Sequence, residues 1–190
     1  VRPDAEVEPG SLLVAAPSLN DPNFTRTVVY IIDQRPEGTL GVVLNRPSDV
    51  AVHDVLPPWG PHVTKPQCIY IGGPVEQKTA LCLAALKAGT DPSAVEGLVG
   101  VQGPVALIDL DAEPEDLMPL VRGLRVFAGY SGWGEGQLAG EIERGDWIVV
   151  TGLADDVLVG ANVDLWGRVL RRQGMPLALL STYPKDVREN

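Results

Sequence analysis

The run Thr-Val-Val-Tyr-Ile-Ile at residues 27–32 constrains this chain more than any other segment. β-Branched and aromatic side chains lose rotamer freedom in a helix but pack well on a pleated surface, so the run reads as a buried strand. Residues 33–38 carry Pro36 and Gly38 as turn punctuation, and residues 40–44 are apolar again. Together they predict an antiparallel hairpin. Asn45-Arg46-Pro47 ends its second strand, because proline has no N–H for the ladder.

The same reading extends along the chain. Further strands are expected at 11–16, 68–71, 79–86, 105–110, 124–129, 147–151 and 177–181. Helices are expected at 50–56, 113–121, 134–144 and 163–173, the third with Leu138 and Ile142 on one face. No internal repeat, low-complexity stretch or charge block divides the chain, so one mixed α+β domain over 11–183 is predicted. A polar, Pro-containing leader (1–10, read as frayed) and a polar tail (184–190) flank it. At 190 residues with 45% hydrophobic content, a domain can bury enough surface to fold without staples. Aromatics are only 5%, so the core must be built mainly from Val, Leu, Ile and Ala.

Charge narrows the function classes. Lys and Arg number 15 against 25 Asp and Glu, a net charge of -10, which opposes binding to a phosphate backbone. Arg168, Arg171 and Arg172 form the one basic cluster, at helical spacing that puts them on one side. A solvated helix face accounts for them better than a nucleic-acid patch. Cys68 and Cys82 each lie in an apolar run without nearby His or Cys, which reads as buried thiols in a reducing compartment. No segment has signal-peptide or bilayer-spanning character, so the expected location is the cytoplasm, with no membrane contact.

Several loop motifs go beyond what strand and helix propensity require. They are Leu13-x-Ala15-x-Pro17, then Asp21-Pro22-x-Phe24-x-Arg26-x-Val28, and Gly38-x-Leu40-Gly41-x-Val43-x-Asn45-x-Pro47. Ile71-Gly72-Gly73-Pro74 follows, and then Gly129-Tyr130-Ser131-Gly132-Trp133-x-x-Gly136-Gln137-Leu138-x-x-Glu141-Ile142-x-x-Gly145-x-Trp147. On these motifs the chain resembles the YqgE/AlgH family from Ser11 to the helix holding Trp166. The resemblance implies an α+β single domain with a mixed, largely antiparallel and partly barrelled sheet surrounded by helices. The family is bacterial; some members are labelled transcriptional regulators, and no general biochemical activity is established for it. Asp33-Gln34 stands where many relatives have a Glu-His pair, so a role resting on that histidine does not carry over.

Each chemical motif has a plainer alternative. Gly129-Tyr130-Ser131-Gly132 resembles a nucleophile elbow, but Trp133 occupies the place of its last glycine. The two histidines, His53 and His62, precede the serine, against the chain order of that hydrolase class, and neither has a partner at metal-ligand spacing. The glycine-rich stretch 132–137 is neither a dinucleotide fingerprint nor a P-loop. Asp109-x-Asp111-x-Glu113 lacks the later positions of a calcium loop. No cofactor motif is found.

Asn45-Arg46-Pro47, Gly72-Gly73-Pro74 and Tyr130–Trp133 read as three loops at strand ends, where mixed sheets most often place ligands. The expected ligand or partner groove is Asn45, Arg46, Gly72, Gly73, Tyr130, Ser131, Trp133 and Gln137, which requires the three loops to be neighbours. A rigid structural cap built from the same loops is the alternative. The leading expectation is a non-enzymatic regulatory or interaction protein with an unknown protein or small-molecule partner, an oligomer being compatible with it. The alternatives are a small hydrolase or transferase using Ser131, or a DNA-binding transcriptional regulator.

Overall fold

The computed structural model describes residues 6–185. Strands β1 (Ser11–Ala15), β2 (Val28–Arg35), β3 (Gly38–Val43) and β4 (Pro47–Ala51) lead into a short helix α1 (Val52–Val55). Strands β5 (Cys68–Ile71), β6 (Val75–Leu86), β7 (Leu98–Gln102) and β8 (Val105–Ile108) come next, then α2 (Pro114–Leu117). The long β9 (Val121–Gly134), helix α3 (Gln137–Glu143), β10 (Trp147–Thr151) and helix α4 (Leu165–Arg172) complete the set.

The strands run in the order β10-β1-β2-β3-β9-β6-β8-β7, with β4 on β5 and β5 parallel to β9 off that path. All other pairs are antiparallel, among them the β2–β3 hairpin. Parity along β1 and β2 explains the packing. Leu12, Val14, Val28 and Tyr30 face one side with Val42, Leu83 and Phe127, and α4 covers them with Trp166, Val169 and Leu170. Leu13, Ala15, Val29 and Ile31 face the other side with Val43, beneath Trp133, Leu138 and Trp147. A third cluster joins Cys82 and Ala84 of β6 with Ala106 and Ile108 of β8, under Trp59, Val63 and Leu117. The sheet curls into a half-barrel: Gln102 at the end of β7 reaches Gly10 before β1, where an added Cβ would lie 2.6 Å from Gln102 Cγ.

The most consequential difference from the sequence reading is β9. Expected to stop at Gly129, it continues to Gly134, so residues 130–133 are strand rather than a loop after one. Gly129 adopts φ +73°, a conformation costly for any residue with a Cβ, and turns the strand at that point. Up to Tyr130, β9 pairs with β6 and β5; residues 131–134 pair with β3. One bent strand therefore joins the two halves of the sheet.

Other elements also shift. Pro47 starts β4 rather than only ending a strand, and β4 is exposed except at Ser48, a tolerable place for proline. β6 begins at Val75, four residues before the expected start, and β7 lies where no strand was expected. The third helix begins at Gln137, after Gly136 in the left-handed region, rather than at Gly134. The expected last strand is a 3-10 helix, Leu177–Thr182. Residues before β1 are docked: Val7 packs on the Trp133 cluster and Gly10 N donates to Ile31 O at 2.9 Å. Residues 1–5 of the expected leader and 186–190 of the expected tail lie outside the described residues. Among the described residues, no helix is long and apolar enough to cross a membrane.

Candidate functional site

The three motif segments meet where β3, β5 and β9 converge. Gly72 is the hub: its N–H donates to Ala128 O at 2.8 Å, and its carbonyl accepts Val43 N at 2.8 Å and Ser131 Oγ at 3.1 Å. Ile71 N donates to Arg46 O at 2.8 Å, tying in the first segment. Only glycine fits at Gly73, where a Cβ would run into the Tyr130 carbonyl and the Ser131 hydroxyl. Tyr130 pairs with Val75 across β9 and β6.

Most side chains of the expected groove are engaged within the fold. Asn45 accepts Val28 N at 3.0 Å and donates to Arg26 O at 2.9 Å, fastening the 45–47 segment to the start of β2. The Arg46 guanidinium donates to Pro22 O at 2.8 Å and Thr25 O at 3.1 Å. Burial lowers its pKa, partly opposed by the Asp21 carboxylate. Trp133 is buried, 6.0 Å from Phe24 and 5.9 Å from Trp147 between ring centres. Exposed Gln137 accepts Gly134 N at 3.0 Å and caps the turn into α3. The loops are neighbours, and of the expected groove residues Asn45, Arg46 and Tyr130 are half-buried and Gly132 and Gln137 exposed, with Pro47 and Pro74 exposed beside them.

Ser131 is fully buried, and its hydroxyl donates to a carbonyl instead of to a histidine. His53 is exposed on α1 and His62 half-buried in the following turn. That geometry offers no base and no substrate access to a serine nucleophile. The basic cluster is also divided: Arg172 is bound by Asp156, with contacts of 2.8 and 2.9 Å, while Arg168 and Arg171 stay exposed. Asp111 N donates to Asp109 Oδ1 at 2.9 Å, an Asx turn leading toward α2. Among the described residues, no group of three or more His, Cys, Asp or Glu is placed to hold a metal.

Arg125 escaped the sequence reading. It is fully buried in β9, and its guanidinium donates to Val159 O at 2.7 Å and Lys65 O at 3.0 Å, with longer contacts to Val157 O and Thr64 O. It lies 4.3 Å over the Tyr70 ring, a cation–π geometry. Burial lowers the Arg125 pKa and raises that of Tyr70, whose hydroxyl has no partner among the described residues. Beside them is a cavity of about 20 Å³ lined by Leu44, Asn45, Pro47, Tyr70, Gly160 and Leu165, room for roughly one water. A second, open hollow of about 250 Å³ lies between Ala51, His53, Gly60, Pro61 and Gln67. The signal for Arg125 was available: a lone cation inside the apolar run Leu-Arg-Val-Phe-Ala.

A curled, largely antiparallel sheet bent at a glycine and packed by short helices defines the fold class. The same architecture is found in protein DIP2367 from Corynebacterium diphtheriae, with TM-score 0.91 and 47% identity over 94% of this chain and 93% of that one. It is also found in the AlgH protein from Pseudomonas aeruginosa, with TM-score 0.64 and 25% identity over 92% and 93%. A UPF0301 protein of Mycolicibacterium smegmatis is 55% identical over 184 residues, 97% of this chain and 92% of the relative. One of Mycobacterium avium is 56% identical over 191 residues, covering 100% and 95%. A family model described as DUF179, AlgH-like, matches residues 12–178. The chain belongs to this AlgH-like family.

Proposed function

We propose that this protein is a non-enzymatic interaction protein of regulatory type, which engages a protein partner through the rim of Arg46, Tyr130, Gly132 and Gln137. The observation that carries the reading is the division of labour in the converging loops. Their interior polar atoms are spent on one another, as in the Ser131–Gly72 bond, so the rim is held on a rigid base. Arginine and tyrosine are favoured anchors of protein interfaces, and a preorganised surface loses little entropy on binding. The cavities of about 20 and 250 Å³ among the described residues fall below the usual range for small-molecule sites, which favours a macromolecular partner. Buried Cys82 and half-buried Cys68, both unpaired, fit a reducing, cytoplasmic setting.

Gly132 supplies the test. A Cβ there would meet only the Tyr130 ring, at 3.7 Å, so Gly132→Arg places a bulky side chain on the rim without disturbing the fold. Native mass spectrometry of the protein gently purified from its own host should show a protein-sized mass excess that disappears on denaturation. Gly132→Arg should remove the excess while leaving the thermal midpoint unchanged. An excess that survives the substitution, or a spectrum holding only whole multiples of the chain, refutes the proposal.

A further inference from the structure

Arg125 leaves an imbalance of charge inside the fold. The cation is fully buried, yet its hydrogen-bond contacts are all to carbonyl oxygens, those of Thr64, Lys65, Val157 and Val159. Those dipoles solvate the charge without neutralising it. The ionisable groups that act on it are the Tyr70 phenol and the Cys68 thiol, and no carboxylate is among them. Two donors also lack partners among the described residues: Arg125 Nε and the hydroxyl of Tyr70, whose ring lies 4.3 Å beneath the guanidinium. Tyr70 is 1% exposed, so bulk water does not serve that hydroxyl.

Tyr70 forms part of the wall of the cavity of about 20 Å³, and the rest of that wall has the same bias. Val159, Gly160 and Ala161 make up another part of it. Their acceptors are engaged: Val159 O takes the Arg125 guanidinium, and Gly160 O takes Val163 N at 3.2 Å. The amides of Gly160 and Ala161, by contrast, donate to no group among the described residues. Asn45 is committed at both of its amide atoms. Asp164, just beyond the wall residue Val163, is exposed and caps α4 through Gly167 N at 3.0 Å. The lining therefore offers donors, with a positive charge behind the Tyr70 ring, and it holds no acidic side chain among the described residues.

We infer that this cavity is a binding site for one small monovalent anion of chloride size. A water molecule satisfies the phenol but leaves the buried charge as it is. A halide accepts the same hydrogen bond, supplies the missing counter-charge, and is only slightly larger than the water for which the cavity has room. Phosphate and other polyatomic anions exceed the volume. Ala161 and Val163 are exposed on the outer side of the wall, so an ion reaches the site past one short loop. The inference does not depend on a partner at the rim.

Bromide is the probe, because it resembles chloride and scatters anomalously. Crystals of the full chain in sodium bromide should show an anomalous peak in the cavity, within hydrogen-bond reach of the Tyr70 hydroxyl. In solution, sodium gluconate holds the ionic strength constant and is too large for the site. Against that baseline the melting temperature should climb by roughly 3–6 °C for each tenfold rise in bromide above half-saturation. Tyr70→Phe keeps the ring and deletes the donor. It should be at least as stable as the parent in gluconate and bind bromide about tenfold more weakly or worse. Arg125→Met, read against its own gluconate baseline, should lose the climb altogether. Bromide found only on the surface, with water in the cavity, overturns the inference. So does a parent protein indifferent to bromide, or a bromide dependence that survives both substitutions.

Discussion

Replacing Arg125 with methionine should cost this protein about 3 kcal/mol, and the figure follows from what the guanidinium touches. Its two short contacts, 2.7 Å to Val159 O and 3.0 Å to Lys65 O, are charge-assisted bonds worth about 1.5–3 kcal/mol each. Stacking on the Tyr70 ring at 4.3 Å adds about 1–2 kcal/mol in a dry site. Against that gross gain of roughly 4–8 kcal/mol stands the cost of burying a cation to which no carboxylate is bound among the described residues, several kcal/mol. Methionine fills the space and ends the desolvation cost, but it abandons the carbonyls inside the protein. In a domain of 190 residues, the net loss corresponds to a fall in melting temperature of roughly 6–12 °C.

Urea unfolding followed by circular dichroism measures the loss, which should appear as a lower midpoint at unchanged slope. Hydrogen exchange supplies the local signature. Arg125 clamps residues 64–65 to residues 157–159, so both segments should lose protection in the variant beyond the global change. Tyr70→Phe is the internal control. It deletes a buried hydroxyl with no partner and should be neutral or stabilising by up to about 1 kcal/mol. An Arg125→Met protein as stable as the parent would refute the reasoning. The cation would then be worth no more than its burial costs, as when apolar side chains replace buried ion pairs.

Three further outcomes are expected. Asp156, 3% exposed, holds Arg172 and also accepts Leu153 N at 2.7 Å. Arg172→Met should therefore destabilise more than Asp156→Asn in urea unfolding, since the first strands a buried carboxylate and the second leaves a partly solvated cation. Burial pushes the Cys82 thiol and the Tyr30 phenol well above their ordinary values of 9.0 and 10.0. The folded state then keeps protons that the unfolded chain releases, so this stability is complete below pH 9 and is lost as pH rises. The thiol alone should cost on the order of 1 kcal/mol by about pH 10, and Cys82→Val should remove that share of the slope measured by urea unfolding. At the glycines, Gly73→Ala should cost more than about 3 kcal/mol while Gly132→Ala stays within about 0.5 kcal/mol, both read from thermal melts.

The parts of this fold that were legible are those where one local signal dominates. The β2–β3 hairpin is one: a β-branched run, turn punctuation and a second apolar run agree with each other. β9 beyond Gly129 was not legible, because Gly-Tyr-Ser-Gly-Trp has poor strand propensity and glycine in a strand reads as a turn. Pairing with β3, whose own Gly38 and Gly41 face that segment, overrides the local preference. Leu-Ala-Leu-Leu at 177–180 failed for another reason, since so short an apolar run cannot distinguish a strand from a helical turn.

The site divides along the same line. That the three motif segments converge was legible, because each carries glycine, proline or an aromatic residue out of keeping with its surroundings. What the side chains do there was not, because their partners are remote in sequence. Ser131 donates to a carbonyl 59 positions away, and Arg125 to carbonyls 34 and 60 positions away. Glycine-rich turns with a serine and an arginine describe a ligand loop and a structural joint equally well. The two differ in whether the polar atoms are already spent. In this protein Ser131, Asn45 and Arg125 are committed to holding strands together, so substituting them should report first as lost stability. Of the three motif segments only the rim still faces solvent, and substitutions there should report as lost association with the fold intact.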